Sequence, residues 1–200
     1  MKLYGSFTSP YARKLRVLII EKQLPVEFVF ANPTAADSVV PTLNPLGLVP
    51  VLVRDDGSVL FDSPVIAEYL DSLTSPALIP KAGEERWQVL RWAALADGIL
   101  DVTVDRTLEA RRPESQRLAA TLTRHEAKIA RAMDFAEREL MDGPWLVANR
   151  LTLADIALAT ALGYVDFRYP HDWKTGHPRL AGWYAAVGAR PAFVETRPPQ

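Results

Sequence analysis

The feature that most constrains the fold is a change of pattern between residues 74 and 83. Before this stretch, short apolar segments alternate with amphipathic helical segments, and after it every periodic segment has helical spacing. The stretch itself contains Ser75–Pro76 and Pro80 and lacks periodicity, which is typical of a linker. The sequence therefore predicts an α/β domain over residues 1–75, a linker over 76–83 and an all-helical domain over 84–200.

The first part of the α/β domain is predicted to contain a strand, a helix and a second strand. Lys2–Tyr4 is short and alternates in polarity, and Ser9–Pro10 opens a helical pattern that runs to about Lys22. Serine is a favoured N-cap, and proline suits the first helical position because its missing N–H would be unpaired there anyway. Val26–Phe30 alternates apolar and polar residues and is rich in β-formers, which predicts a strand.

The second part of this domain is predicted to be a hairpin followed by a helix, after a loop with a short helix. Val51–Val53 and Val59–Phe61 flank Asp56–Gly57, and Asp-Gly between apolar runs is a strong hairpin signal. Ser63–Pro64 repeats the cap-plus-proline pattern and starts a helix that ends near Leu73, with Ser63 as its expected N-cap. These elements predict a compact layer built on a mixed four-stranded sheet.

Four helices are predicted after the linker, and we expect them to form a helical bundle. The first runs from Glu84 to about Ala110 and ends before Pro113, and the last spans roughly Pro178–Ala189, followed by a tail expected to be irregular. The predicted apolar face of the first helix consists of Trp87, Leu90, Ala94, Leu95, Gly98, Ile99 and Val102.

Charge and composition exclude several kinds of function. Lys plus Arg is 23 and Asp plus Glu is 24, so we expect neither nucleic acid nor an anionic membrane as a partner. No apolar run is long enough to span a bilayer, and no secretory signal follows Met1, so a cytoplasmic location is expected. The chain has no cysteine and only three scattered histidines, which argues against a metal site and removes any protein thiol.

Three features of the first domain suggest a single ligand, and the first is the turn from Ser6 to Lys14. A hydroxyl residue between the first strand and the first helix lies where free backbone N–H groups and the positive end of the helix dipole converge. An anion, including a thiolate, is stabilised at such a position. The simpler interpretation is that Ser9 is only an N-cap.

The second feature is the segment Asn44–Leu52, in which Pro50 stands directly before a strand. Because proline cannot donate to the sheet, it must lie at the start of the strand or in a special turn. If the Val49–Pro50 bond is cis, the N–H and C=O of Val49 turn outward and can pair with an extended, peptide-like ligand. The alternative is an ordinary trans proline, which is the commoner state.

The third feature is Phe61-Asp62-Ser63-Pro64. The Ser63 hydroxyl and the first free N–H groups of the helix would suit a carboxylate, and Asp62 could hold an ammonium group nearby. A carboxylate and an amine on one carbon form an amino-acid head group. The alternative is helix capping without a ligand.

Together these residues resemble a known family. The order SPYxRK, NPLGxVPVL and DSPxIxEYL is similar to the thioredoxin-like N-terminal domain of glutathione S-transferases, and the likeness extends over essentially the whole chain. Leu151–Ile156 resembles the buried N-capping box of that family. Thr-x-x-Asp before an apolar run is a capping box on its own evidence, so we interpret Thr152 and Asp155 as structural.

The resemblance implies a bacterial, serine-type, cysteine-free member that uses glutathione as cosubstrate and no metal. Ser9 would donate a hydrogen bond to the glutathione sulfur, and Thr8 or, less favourably placed, Ser6 are alternative donors. The backbone of Val49, before the cis-proline Pro50, would pair with the cysteinyl part of glutathione.

The resemblance assigns binding residues to only one of the two ends of glutathione. Asp62 and Ser63 match the pair that holds the γ-glutamyl group. Leu48 departs from the pattern, because many relatives carry Lys or Gln there, which can reach the glycyl carboxylate. The residue that binds the glycyl end is therefore left open.

The function implied is a glutathione transferase, in which the thiolate attacks a small electrophile, with a role in detoxification. Candidate walls of the electrophile pocket are Phe7, Tyr11, Arg106 and Tyr164, and the alternative is that these residues belong to the core or to an interface. Family members are commonly homodimers, so the resemblance implies a homodimer.

The same fold supports other functions. A thiol–disulfide oxidoreductase needs a protein cysteine for its mixed disulfide, and this chain has none. A non-catalytic glutathione-binding or scaffold protein stays an alternative that Leu48 favours and the intact Ser9 disfavours. A glutathione-dependent peroxidase or isomerase would share the site and differ only in its substrate.

Overall fold

The computed structural model describes residues 1–199. The chain forms two compact units, one built from Met1–Lys81 together with the segment that starts at Arg190, and the other from Ala82–Ala189. The sequence placed residues 84–200 in one helical domain, so the segment after Ala189 differs from the expectation.

The first unit contains the predicted mixed four-stranded sheet. Its strands are β1 (Lys2–Gly5), β2 (Glu27–Phe30), β3 (Val51–Val53) and β4 (Val59–Leu60), in the order β2-β1-β3-β4. β1 is parallel to β2 and antiparallel to β3, and β3 is antiparallel to β4. The predicted fold class of this half is confirmed.

Between residues 1 and 81, the first unit also contains three helices. They are α1 (Pro10–Glu21), α2 (Val40–Leu43) and α3 (Ser63–Ser72). α1 packs against α3, and its Ala12 lies close to Gly5 of β1. A Cβ atom on Gly5 would stand 2.7 Å from the Cβ of Ala12, so only glycine lets the first turn of α1 approach the strand this closely.

The end of the chain also belongs to this unit. The tail that the sequence predicted as irregular contains a short helix, α8 (Pro191–Glu195). Arg190 binds Glu21 of α1 through two hydrogen bonds of 2.8 and 2.6 Å, and the Nη2 atom of Arg13 donates to the carbonyl of Phe193. Because the Phe193 ring is buried, the tail gains enough packing to form a helix.

A buried ion pair holds the end of α3 in the first unit. The Nζ atom of Lys22 lies 2.6 Å from Oδ1 of Asp71 and also donates to the carbonyls of Asp71 and Thr74. The Asp71 carboxylate in turn accepts the N–H groups of Leu78 and Ile79. The polar groups of the segment that leads out of the unit are therefore satisfied by one cluster.

The second unit is all-helical, as predicted. Its helices are α4 (Glu84–Ala110), α5 (Ala119–Glu139), α6 (Leu153–Arg168) and α7 (Pro178–Gly188), with a 3-10 turn at Glu114–Gln116. Every residue of α6 from Leu153 to Val165 is buried, so this helix forms the centre of the bundle.

The predicted apolar face of α4 is wrong, because among its members only Ile99 is buried. The buried face comprises Val89, Trp92, Ala93, Ala96, Ile99, Leu100, Thr103 and Thr107. The hydroxyls of Thr103 and Thr107 donate to the carbonyls four residues earlier, at 2.7 Å each, which satisfies them inside the helix. Their polar side chains concealed the buried face from the pattern of apolar residues.

Within residues 1–199, no helix has the length and apolar character needed to cross a bilayer.

Candidate functional site

The N-terminus of α1 carries the first candidate residue, Ser9. Its backbone is extended, with φ −74° and ψ 121°, and its Oγ accepts the N–H of Ala12 at 3.2 Å. Ser9 is therefore the N-cap that the sequence predicted. Because Oγ acts as the acceptor in this bond, the hydroxyl proton stays available for donation to a ligand.

The loop before β3 carries the second candidate. The Val49–Pro50 peptide bond is cis. Across the described part of the chain, neither the N–H nor the C=O of Val49 forms a backbone–backbone hydrogen bond. Val49 thus offers one donor and one acceptor at the end of the sheet, while its side chain packs against a core of Ala31, Val40 and Val51.

Asn44 fixes the shape of this loop, a role that the sequence analysis missed. The side chain is buried, its Nδ2 donates to the carbonyl of Leu48 at 2.9 Å, and its Oδ1 accepts the N–H of Leu46 at 3.0 Å. Gly47 has φ +65°, a conformation that favours glycine. The signal in the sequence was an asparagine directly after a helical segment and before Pro45, where its side chain can replace backbone partners.

The start of α3 carries the third candidate pair, and here the sequence prediction is wrong by one residue. Asp62, not Ser63, is the N-cap, and Ser63 is the first residue of the helix. Pro64 fits the second helical position as well as the first, so the cap-plus-proline pattern did not fix the register. The Asp62 side chain makes no capping hydrogen bond, and Ser63 is only 3% exposed.

The sheet brings these three segments to one edge. Antiparallel pairing of Tyr4 with Val51 places the end of β1, which leads to Ser9, beside the start of β3. Antiparallel pairing of Leu52 with Leu60 places the end of β4, which leads to Asp62, beside the same start of β3. Two helix N-termini and the open backbone of Val49 therefore meet at one end of the sheet, which is a suitable arrangement for an anionic, peptide-like ligand.

Comparison with known proteins identifies the family of this fold and site. The family model of the glutathione S-transferase N-terminal domain matches residues 8–73, and that of the C-terminal domain matches residues 119–186. The uncharacterized GST-like protein YibF of Escherichia coli K12 is 41% identical over 202 residues, covering 100% of both chains. The chain belongs to the glutathione S-transferase family.

Solved structures agree with this membership. A glutathione S-transferase from Methylobacillus flagellatus KT, with glutathione bound, has a TM-score of 0.95 and 42% identity and covers 99% of each chain. A glutathione transferase family member from Pseudomonas fluorescens Pf-5, with bound glutathione, has a TM-score of 0.92 and 39% identity and covers 100% of this chain and 99% of its own. The matches therefore extend over both units.

Two candidate pocket residues lie in the first unit of this family member. Phe7 is 42% exposed and its ring contacts those of Phe28 and Phe30 at centroid distances of 5.3 and 5.6 Å. The guanidinium of Arg16 lies 4.7 Å from the centre of the Phe28 ring, and burial lowers the pKa of Arg16. Tyr11 is half-buried on the first turn of α1.

The other two candidate pocket residues lie in the second unit. Arg106 forms hydrogen bonds of 2.9 Å to Oε1 of Glu126, and its guanidinium lies 3.6 Å from the centre of the Tyr169 ring. Tyr164 is buried on α6, close to Phe167. Arg106 thus has a carboxylate partner already, and Tyr164 packs as a core residue.

The capping box of α6 is confirmed. The N–H and the hydroxyl of Thr152 both donate to Oδ2 of Asp155, at 2.8 and 2.9 Å, and the N–H of Leu146 donates to Oδ1 at 2.8 Å. Burial raises the pKa of Asp155, and the hydrogen bonds from Leu146 and Thr152 oppose that rise. All these contacts serve the fold, in agreement with the structural role predicted for both residues.

Proposed function

We propose that this family member is a cytoplasmic glutathione transferase in which Ser9 donates a hydrogen bond to the thiolate of glutathione. The observation that carries the proposal is the Ser9 hydroxyl at the N-terminus of α1, with its oxygen accepting from Ala12 and its proton available. The bound relatives from M. flagellatus and P. fluorescens support glutathione as the ligand. The thiolate then attacks a small electrophile and forms a thioether.

The free energy required is modest. A free thiol has a pKa of about 8.5, so only a few per cent is ionised at neutral pH. Lowering that pKa by about one to two units needs about 1.4 to 2.7 kcal/mol. One charge-assisted hydrogen bond and the dipole of α1 supply free energies of this size. Ser9 can therefore act as a donor without losing its own proton.

We propose that the remaining contacts of glutathione lie at the same end of the sheet. We assign the cysteinyl backbone to the N–H and C=O of Val49, next to Pro50. The γ-glutamyl carboxylate is assigned to the Ser63 hydroxyl and the free N–H groups at the start of α3, and its ammonium group to Asp62. This places the two charged groups of the γ-glutamyl end on adjacent residues.

The test of Ser9 must separate its donor role from its capping role. Ser9→Ala removes both, whereas Ser9→Gly keeps most of the N-cap stability and removes the donor without adding a charge beside the thiolate. We expect both variants to lower the conjugation rate with a dinitrophenyl halide by about 10- to 100-fold at neutral pH and to move the pH–rate profile to higher pH. Thr8→Val and Ser6→Ala are the matched controls and should change the rate less than about twofold.

Three outcomes decide between the candidate roles. An unchanged pH–rate profile in Ser9→Gly would reject Ser9 as the donor, and a shifted profile in Thr8→Val would assign that role to Thr8. Retention on immobilised glutathione without turnover of any soft electrophile would favour the binding or scaffold protein over the transferase.

We further propose that the protein is a homodimer whose two copies contact each other through the apolar surface of α4 that is not buried within the chain. Ala94, Leu95, Gly98 and Val102 line a groove of about 250 Å³ together with Ile99 and with Lys128, Ile129 and Ala132 of α5. Trp87, about two helical turns before Ala94, is 64% exposed. Burial of this apolar surface against a second copy would remove it from water.

Light scattering after gel filtration tests the assembly. The expected mass is twice the 22.2 kDa of one chain. Leu95→Arg should reduce it to one chain, and Leu108→Arg, on the same helix but outside the groove, should not. A single-chain mass for the unmodified protein would contradict the proposed dimer.

A further inference from the structure

Three phenylalanine rings and one arginine form a cluster at the outer edge of the sheet. β2 is an edge strand, because the strand order is β2-β1-β3-β4. Phe28 and Phe30 belong to β2, and the guanidinium of Arg16 on α1 lies 4.7 Å from the centre of the Phe28 ring. Phe7 joins them, with its ring centre 5.3 Å from the same guanidinium and its plane within 17° of the Phe30 plane. We call these four residues the Arg16 cluster.

Arg16 is a cation without a counter-ion. Its Nη1 atom is buried and has no hydrogen-bond partner among residues 1–199. Burial is the one cause that lowers the pKa of Arg16, and no carboxylate in the described part of the chain opposes it. The ring faces of Phe7 and Phe28 attract the charge but supply no oxygen acceptor. The fold therefore leaves one donor of this guanidinium unsatisfied.

The alternation of side chains along β2 explains why no carboxylate of this strand reaches the cluster. A Cβ atom on Gly5 would stand 3.1 Å from the Phe28 ring and 2.7 Å from a side chain of α1, so Phe28 lies on the α1 face of the sheet. Successive strand residues point to opposite faces, so Phe30 shares this face and Glu27 takes the other. Glu27 pairs there with Lys2 at 3.7 Å. The acidic residue of β2 is thus directed away from the cluster.

The cluster is open to solvent on its aromatic side. Phe30 is 60% exposed and Phe7 is 42% exposed, although both are large apolar rings, and Arg16 is half-buried. Exposed rings that pack against each other form a flat surface on which another ring can stack. A planar guanidinium beside such a surface can bind a carboxylate through paired hydrogen bonds. The chemistry of the cluster therefore fits a flat aromatic molecule with an anionic substituent.

We propose that the Arg16 cluster binds small aromatic monoanions, whose anionic group accepts from the Arg16 guanidinium and whose ring stacks on Phe30 and Phe7. A single cation matches a single negative charge. Arg16 lies seven residues after Ser9, which is two turns of α1 or about 10 Å along the helix axis, so the site is distinct from the position proposed for the thiol. Binding here requires neither glutathione nor turnover, so its test does not depend on the proposed function.

Calorimetry on the full-length protein compares naphthoate with naphthamide, which has the same ring system and no charge. We expect naphthoate to bind with a dissociation constant below about 1 mM and naphthamide to bind about tenfold more weakly, because a hydrogen bond to a charged group contributes a factor of this size. Equal binding of the two compounds, or no binding of naphthoate, would overturn the inference.

A variant without the cation tests where naphthoate binds. Arg16→Met keeps a long apolar stem but removes the charge, so it should weaken naphthoate binding by about tenfold and remove its advantage over naphthamide. Lys2→Gln removes an exposed cation from the neighbouring strand and should change naphthoate affinity by less than about twofold. Unchanged naphthoate affinity in Arg16→Met, with its fold checked by circular dichroism, would overturn the inference.

A variant without the outer ring keeps the test decisive even if Arg16→Met does not fold. The Phe30 ring is mostly exposed, and Phe30→Ala should weaken naphthoate binding by about two- to tenfold. Leu46→Ala, which removes another exposed apolar side chain of the first unit, is the control, and equal effects of the two variants would overturn the inference. Displacement of naphthoate by the dinitrophenyl conjugate of glutathione would place it in the electrophile pocket and overturn the separate site.

Discussion

The N-termini of α6 and α1 are both capped by a hydroxyl residue, Thr152 and Ser9, but the two hydroxyl groups have different surroundings. At α6, the N–H and the hydroxyl of Thr152 and the N–H of Leu146 donate to the Asp155 carboxylate. Both Thr152 and Asp155 are fully buried. At α1, Ser9 accepts one N–H from Ala12 and stays partly exposed, with its proton available. At α6, protein groups satisfy the cap residues. At α1, the Ser9 hydroxyl keeps a proton that it can donate to a ligand.

The α3 N-terminus resembles α1 rather than α6. Its N-cap, Asp62, makes no capping hydrogen bond, so the first N–H groups of the helix have no side-chain acceptor from the cap. A hydroxyl at a helix start is therefore not a functional sign by itself. We propose that a binding end differs from a structural one by the hydrogen-bonding groups that the fold leaves without partners, and the following predictions test this distinction.

The largest expected effect concerns the buried ion pair of Lys22 and Asp71 in the first unit. Lys22→Met removes the cation from a buried pair and leaves the Asp71 carboxylate without its partner. We expect a loss of about 3 to 5 kcal/mol in the free energy of unfolding, measured by urea denaturation. Lys2→Met, which removes an exposed pair with Glu27, is the control and should cost less than about 1 kcal/mol.

The capping box of α6 should come next. Asp155→Ala leaves the buried N–H groups of Leu146 and Thr152 without an acceptor. We expect a loss of about 3 kcal/mol in stability and, in the fraction that is folded, no change in glutathione affinity. Thr152→Ser keeps the hydroxyl and should lose much less. A weaker affinity in folded Asp155→Ala would mean that this end is not purely structural.

The N-terminus of α3, where the cap residue Asp62 makes no capping hydrogen bond, should respond in the opposite way. Ser63→Ala removes a hydroxyl that we assign to the γ-glutamyl carboxylate. We expect about five- to tenfold weaker glutathione binding by calorimetry, with unfolding free energy changed by less than about 0.5 kcal/mol and kcat at saturation kept. Unchanged affinity would place the γ-glutamyl group elsewhere.

The N-terminus of α7 gives the smallest effect, and it depends on pH. Both ring nitrogens of His177 have acceptors, Nδ1 the carbonyl of Trp173 at 2.7 Å and Nε2 the carboxylate of Asp134 at 2.9 Å. Burial works to lower the pKa of His177, but the Trp173 carbonyl, Asp134 and Glu137 outweigh it, so the pKa is raised above 6.5.

The sign of this effect follows from the raised pKa. The stabilisation is fully present below the unfolded-state value of 6.5 and is lost as the pH rises through the higher, folded-state pKa. His177→Gln should therefore lower the melting temperature by about one to three degrees near pH 5.5 and have little effect near pH 9. Equal losses at both pH values would show that the charge of His177 does not contribute.

The sequence predicted much of this fold because its signals are local. Asp56–Gly57 indicated the hairpin, and Ser9–Pro10 indicated the start of α1, since cap and proline act within one turn. The Lys22–Asp71 cluster and the α8 tail were missed because they depend on partners far along the chain. The N-cap of α3 was misplaced by one residue because both Asp62 and Ser63 are good caps before a proline.

Which residues bind a ligand stays a prediction, and the structure shows only where they lie. The sequence named Ser9, Val49, Asp62 and Ser63, and antiparallel pairing around β3 brings their segments to one edge of the sheet. The role of Asn44 in the loop was not predictable, because its partners are backbone groups whose positions depend on the folded turn.

The central claim is that the open N-terminus of α1 stabilises a thiolate through Ser9. Its most direct test is a titration of glutathione bound to the protein, followed by the ultraviolet absorbance of the thiolate. We predict that the bound thiol has a pKa about one to two units below the free value of about 8.5, and that Ser9→Gly, which removes the hydroxyl without adding a charge, removes most of this difference. A bound thiol that titrates at the free value in the unmodified protein would contradict the account.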